Sequence, residues 1–265
     1  MSTTQTQVTA PIGELLRTWR RRRRRSQLDL ALDVGISTRH LSFVETGRSQ
    51  PSREMVLRLT GELALPLRET NHLLLAAGYA PVYGETELDA PELAPMRQAV
   101  RDVVRGHDPF PALAVDRHWN IVEQSDGLAL FIDGVSPELL EAPNSLRIAL
   151  HPDGMAPRVA NLAQWRGHLL GNLRRAAEMS ADPVLSELYD ELEAYPADAA
   201  EDDHHVASAD TELVLPLRLR HDGELLTFFG IVSSFGTPRD ITLAELAIES
   251  FFPADERTAE VLRSN

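Results

Sequence analysis

The sequence predicts a multi-domain chain: a compact all-α unit followed by an α+β unit built on one antiparallel sheet. Three observations carry this prediction. Residues 12–79 show apolar residues at helical spacing, broken about every 10–15 residues by Ser, Gly or Pro. Residues 213–235 alternate around Asp222-Gly223, the pattern of a hairpin. The charge divides along the same line. Residues 1–83 carry 12 Arg against 7 acids, a net of +5, whereas residues 84–265 carry 14 Arg against 33 acids, a net of −19. A basic head on an acidic body points to nucleic acid at one end only. The 265 residues include no cysteine, which excludes disulfides and thiolate metal sites. No apolar run reaches the ~18 residues of a membrane span, and the polar start lacks the order of a secretory leader. The absence of cysteine fits a cytoplasmic protein.

Ile12, Leu15, Leu16 and Trp19 form the apolar stripe of a first helix. Ser26 caps a second over 27–34, stopped by Gly35, and Ser37 caps a third over 38–46, ended by Gly47. Pro51-Ser52 opens a fourth over 53–64, and Pro66 a fifth over 67–77 before Gly78. Residues 84–92 are acidic and aperiodic, so 84–105 reads as a linker with a connecting helix at 93–105. The domains predicted are therefore 1–83 and 106–265. In the second, strands are expected at 112–117 and 119–125, and helices near 126–132, 144–150, 156–179 and 183–194. Residues 196–210 are an acidic, Ala-rich loop. Leu213 to Leu219 alternate up to the turn, and Leu225 to Phe235 return. Residues 241–252 fit a strand or a helix and are read as a strand; a helix at 254–263 closes the chain. Val115, Ile121, Leu217, Phe229 and Ile231 are the expected inward strand positions.

The most specific signal is residues 27–46. Ala31 is small where two helices cross, Gly35 sits in the turn, and Leu30, Val34, Ile36, Leu41 and Val44 fall on the core side. Together they describe a helix-turn-helix with its reading helix at 38–46; a plain helical bundle is the alternative. Ser37, Thr38, Arg39, His40 and Ser42 are then the groups facing bases or phosphates, and Arg39 can fork onto guanine. Gln27 contacts a phosphate or braces another side chain. Arg48 and Arg53 are phosphate candidates, which position without reading sequence. Arg20–Arg25 cover the whole helix circumference; Arg17, Arg20 and Arg24 share a face, and Arg17 joins the DNA contacts.

Residues 12–83 resemble an XRE-type (Cro/phage repressor-like) DNA-binding domain. The resemblance rests on Ser26-Gln27, Ser37 to Arg48, Pro51-Ser52 and Ala76 to Pro81. It extends to the MmyB-like transcription regulators through Pro111-Ala112-Leu113, Arg117, Trp119, Asn144, Arg147, His151 to Gly154, Phe235 to Pro238 and Glu249 to Asp255. It implies a lambda-repressor-like head and a PAS-like ligand-binding domain with a five-stranded antiparallel sheet, associated with fatty-acid-like ligands. It also supports the strand choice at 241–252. Ser125 stands where relatives tend to carry an asparagine, which puts a head-group contact there in doubt.

Asn144, Arg147 and His151, at 3–4 spacing, are the polar candidates for the ligand, since an arginine forks onto a carboxylate. Their alternative is a structural tie, with Asn144 as an N-cap. Trp165 and Phe229 are further ligand candidates on apolar elements. Asp202-Asp203-His204-His205 lacks other ligands at sensible spacing, so no metal or cofactor is expected beyond a bound amphipathic molecule. No Gly-rich phosphate loop, nucleophile elbow or His-Glu-x-x-His occurs, so no catalytic residue is assigned. The function predicted is a homodimeric, ligand-responsive regulator on double-stranded DNA, with no membrane role. Its rivals are a C-terminal domain that only dimerises or docks a protein, and an enzyme fused to a DNA-binding head.

Overall fold

The computed structural model describes residues 10–180, 182–196 and 214–264. They form two units. One runs to Glu85 and takes in Arg239–Ile241; the other comprises Thr86–Pro238 and the chain from Thr242.

The first unit is five helices: α1 (Ile12–Arg22), α2 (Gln27–Val34), α3 (Thr38–Glu45), α4 (Arg53–Glu62) and α5 (Leu67–Ala76). The side chains of Ser26, Ser37 and Ser52 accept the backbone N–H of Asp29, His40 and Met55, so each satisfies one orphan donor at its helix start. Gly35, at φ 73°, ends α2 in the left-handed region and lets the chain reverse into α3. Leu16, Trp19, Leu30, Leu41, Val44, Leu59 and Leu74 fill the core between the helices. A Cβ on Gly13 would lie 2.4 Å from the Val44 carbonyl oxygen, so α1 can rest on the end of α3 only through a glycine.

The arginine run is divided rather than uniformly solvated. Arg20, expected beside Arg17 and Arg24 on one outer face, is buried at 8% exposure. Its Nε and Nη2 donate to the Glu45 carboxylate at 2.6 and 2.9 Å, and its Nη1 donates to the Arg25 carbonyl at 2.8 Å. Arg23 donates to the carbonyls of Leu63 and Ala64 after α4, and Arg25 pairs with Asp33. Periodicity alone could not separate them, because the partners lie on other helices.

The second unit begins with α6 (Ala94–Arg105), then β1 (Ala112–Val115), β2 (Ile121–Gln124), α7 (Ala129–Ile132), α8 (Pro137–Glu141) and α9 (Ser145–Leu150). There follow α10 (Leu162–Ser180), α11 (Pro183–Glu193), β3 (Leu217–His221), β4 (Glu224–Ser234), α12 (Ile241–Ala244), β5 (Ala247–Pro253) and α13 (Glu256–Ser264). The strands make one five-stranded antiparallel sheet, as the family resemblance implies, in the order β2-β1-β5-β4-β3. Period-two alternation divides β1 between two cores. Ala112 and Ala114 pack with Val100 and Val104 of α6, while Leu113 and Val115 join the larger core under α7, α9, α10 and α11. The helix expected to be a connection is thus a layer of this unit.

Four sequence expectations differ from the structure, each for a physical reason. The helix expected over 156–179 breaks, because Val159 bridges Leu219 and Asn161 bonds the backbone of Pro216 and Arg218. Residues 159–161 therefore run along β3, and α10 starts at Leu162. Residues 241–244 are helical, so β5 starts only at Ala247. β3 begins at Leu217, after a proline that cannot donate to the ladder; Leu213 lies outside the described residues, as do Asp202 to His205. Phe229 and Ile231 do not face the core. The two-residue turn sets His221 opposite Glu224, so Leu219 meets Leu226 and Leu217 meets Phe228. Leu226 and Phe228 are therefore the buried pair, and a shift of one residue puts Phe229 on the other face, stacked on Phe252.

Candidate DNA-reading face and ligand cavity

Leu41 and Val44, both at 0% exposure, pin α3 into the helical core. That leaves Arg39 exposed and Thr38, His40 and Ser42 half-exposed. Ser37 is exposed, but its hydroxyl is spent on the α3 cap. Arg17, Arg48 and Arg53 are exposed. Phe43, which the sequence reading left unassigned, organises two of these cations: the guanidiniums of Arg39 and Arg48 lie 5.2 and 5.9 Å from its ring centre. Its signal was the i, i+4 spacing from Arg39. Gln27 braces rather than reaching out, donating to Glu45 at 2.7 Å. Burial alone would raise the Glu45 carboxyl; the bonds from Arg20 and Gln27 outweigh it and hold the group below its ordinary range.

In the second unit a cavity lies between the sheet and its covering helices. Its walls include Leu113, Ile121, Phe131, Trp165, Leu169, Leu217 and Phe251. It offers about 50 Å3 for the centres of water-sized molecules within about 500 Å3 of atom-free space, open solvent at its mouth included. Of the expected ligand residues, only Trp165 lines it. Asn144 caps α9 by accepting from Arg147 N–H, and its amide donates to the His118 carbonyl and to Asn120. Arg147 forks onto Glu191 at 2.8 and 2.7 Å, tying α9 to α11. The Glu191 carboxyl is lowered by that bond, and Tyr195, which donates to it at 2.6 Å, is pushed up to about 12 by burial and by the bond. His151 sits edge-on to Tyr195. The α9 residues that line the cavity are instead Ser145, Leu146, Ile148 and Ala149. The Ser125 hydroxyl is taken up by backbone: it accepts from Ala112 N–H and donates to the Phe110 carbonyl.

Residues 11–73 match the family described as helix-turn-helix domain, and residues 96–264 match the family described as MmyB-like transcription regulator ligand binding domain. The chain belongs to the MmyB-like transcription regulators. No curated protein matches it. An XRE-like head joined to this domain makes the MmyB-like chain a ligand-responsive, DNA-binding transcription regulator.

Two polar residues line the cavity of this MmyB-like regulator, and the sequence reading named neither as a site. Ser145 Oγ is buried without a hydrogen-bond partner. Glu249 stands in mid-sheet on β5, opposite Leu113 of β1 and Val232 of β4. Its carboxyl has no ion pair or hydrogen bond among the described residues, and burial alone pushes it up to about 7. Small molecules in the cavity would still touch it, since the side chain is only half-buried by accessible surface. The readable signal was that Glu249 and Phe251 lie two apart in a strand; uncertainty over 241–252 hid it. Among the described residues of the MmyB-like regulator, no cluster of three acids or histidines fits a metal ion, and no helix is long and apolar enough to cross a membrane.

Proposed function

We propose that this regulator is a cytoplasmic homodimer that reads a near-palindromic operator through α3 and senses a small amphipathic molecule in a PAS-like C-terminal unit. The observation that carries the sensor reading is the apolar cavity between sheet and helices, lined by one unpaired carboxylate, Glu249. The acyl chain of a fatty-acid-like ligand suits those walls. On the DNA side, Arg39 reads bases, with Thr38, His40 and Ser42 beside it. Arg17, Arg48 and Arg53 bind phosphates, and Ser37 and Gln27 act by fixing the helices. Two reading helices must then lie ~34 Å apart. No catalytic role is assigned, because the cavity holds one titratable side chain and no second to work with it.

Replacing Arg39 by alanine should weaken operator binding by ~1–3 kcal/mol and relax preference at one base position. Quantitative gel-shift against operator variants reads both, and unchanged affinity removes Arg39 from the reading set. Native mass spectrometry of the purified full chain should show a retained amphipathic molecule and a dimer; a bare monomer that still binds the operator tightly would overturn the proposal.

A further inference from the structure

We propose that Glu249 receives the carboxyl head of the ligand and holds it through one proton shared between the two acids, so that a fatty-acid-like molecule binds with uptake of a proton and is released as pH rises. This rests on reading the cavity as the site of such a molecule, and adds which group meets its head and what controls the contact. Glu249 stands in mid-sheet, with Leu113 and Val232 directly opposite on the neighbouring strands and no hydrogen bond or ion pair among the described residues. Opposite residues of an antiparallel pair share a face of the sheet. Val232 is 69% exposed, so the cover over that face ends one strand from Glu249. A head at Glu249 therefore lies at the wet end of the hollow, and the tail runs inward among Leu113, Phe131, Trp165 and Leu217.

No cation meets a carboxylate there. No Arg or His is among the described lining residues, and the chain has no Lys. Arg147 is held by Glu191, and the Ser145 hydroxyl is sealed away from the hollow. Every other wall residue, from β1, β2, β3, α7, α9 and α10, is uncharged. So are Gly230, Val232 and Ser234 on this face of β4, and Ala247 and Phe251 on either side of Glu249 along β5. Two ionised carboxylates repel each other in such a site, whereas an acid and a carboxylate share it stably. In its acid form Glu249 donates its O–H to a ligand oxygen, and one proton and one negative charge then serve both groups. Burial favours that form, pushing the Glu249 carboxyl up to about 7. Above that pH the free protein has lost the proton, and binding must take one back from solvent.

The test is calorimetric titration of the full chain with decanoate and decanol at about pH 6 and about pH 8. The acid form makes up ~90% of the free protein at the lower pH and ~10% at the higher, so decanoate should bind ~10-fold more weakly at the higher, and decanol should change by less than ~3-fold. Repeating the alkaline titration in buffers of different ionisation enthalpy should show uptake of about one proton per decanoate. Glu249→Gln keeps a permanent donor and cannot titrate. It should bind decanoate within ~3-fold at both pH values, and more tightly than the unaltered chain at the higher one. That variant also separates the effect from the net charge of −14, which repels any carboxylate. Decanoate binding that is equal at both pH values, that takes up no proton, or that weakens with pH as much in the Gln variant, overturns the shared proton while leaving the cavity a ligand site. Decanol binding where decanoate binds at neither pH does the same. Failure of both probes at both pH values overturns the sensor reading of the cavity as well. The proton count in the unaltered chain does not depend on any variant folding.

Discussion

Replacing Glu45 by alanine is expected to cost the helical unit about 3–5 kcal/mol, because it strands a buried guanidinium. Arg20 is 8% and Glu45 7% exposed. Their two bonds, with Gln27 as a third donor, join α1, α2 and α3 at one carboxylate. The loss falls on the reading helix, since Glu45 is the last residue of α3. The double variant Arg20→Met with Glu45→Leu should recover most of the stability, as apolar replacements of buried ion pairs are often neutral or stabilising. The pH dependence has a fixed sign. Glu45 lies below its ordinary value in the folded chain, so its contribution is present above the unfolded value and lost as pH falls through the folded one. Hydrogen exchange of the α1–α3 amides measures the effect unit by unit. Protection unchanged in Glu45→Ala would show that the pair holds nothing.

The helix-turn-helix was legible because its determinants are local. Ser26, Ser37 and Gly35 act within a few residues of where they stand, and Leu41 and Val44 follow helical period. The hairpin turn at Asp222-Gly223 was legible for the same reason. Its register was also encoded there, since a two-residue turn pairs Leu217 with Phe228; counting outward from the turn would have put Phe228, not Phe229, in the core. What stayed hidden depends on partners distant in sequence. Nothing near Arg20 names Glu45, 25 positions on. Nothing near Arg147 names Glu191, 44 positions on. The Asn144, Arg147 and His151 spacing was real, but a common helix face carries no information on which neighbour it meets. Here Ser145, Leu146, Ile148 and Ala149 of α9 meet the cavity. The break before α10 came from a tertiary pairing with β3 that overrode helical periodicity.

The second large effect is a loss of stability with rising pH in the C-terminal unit, abolished by Glu249→Gln. Burial raises the folded carboxyl from an ordinary 4.5 to about 7. Between those values the folded chain holds a proton that the unfolded chain has released. Stability therefore falls as pH climbs through this window and levels off above it, the reverse of a salt-bridged acid such as Glu45. Unscreened, the shift corresponds to at most on the order of 3 kcal/mol, and solvent reaching this half-buried side chain reduces it. A glutamine keeps the shape and cannot ionise, so its gain should be near zero at about pH 5 and reach that order at about pH 8. Calorimetric melting of the full chain and of the variant at both pH values reads the difference; an equal gain at both would mean that the carboxyl is solvated through the cavity mouth.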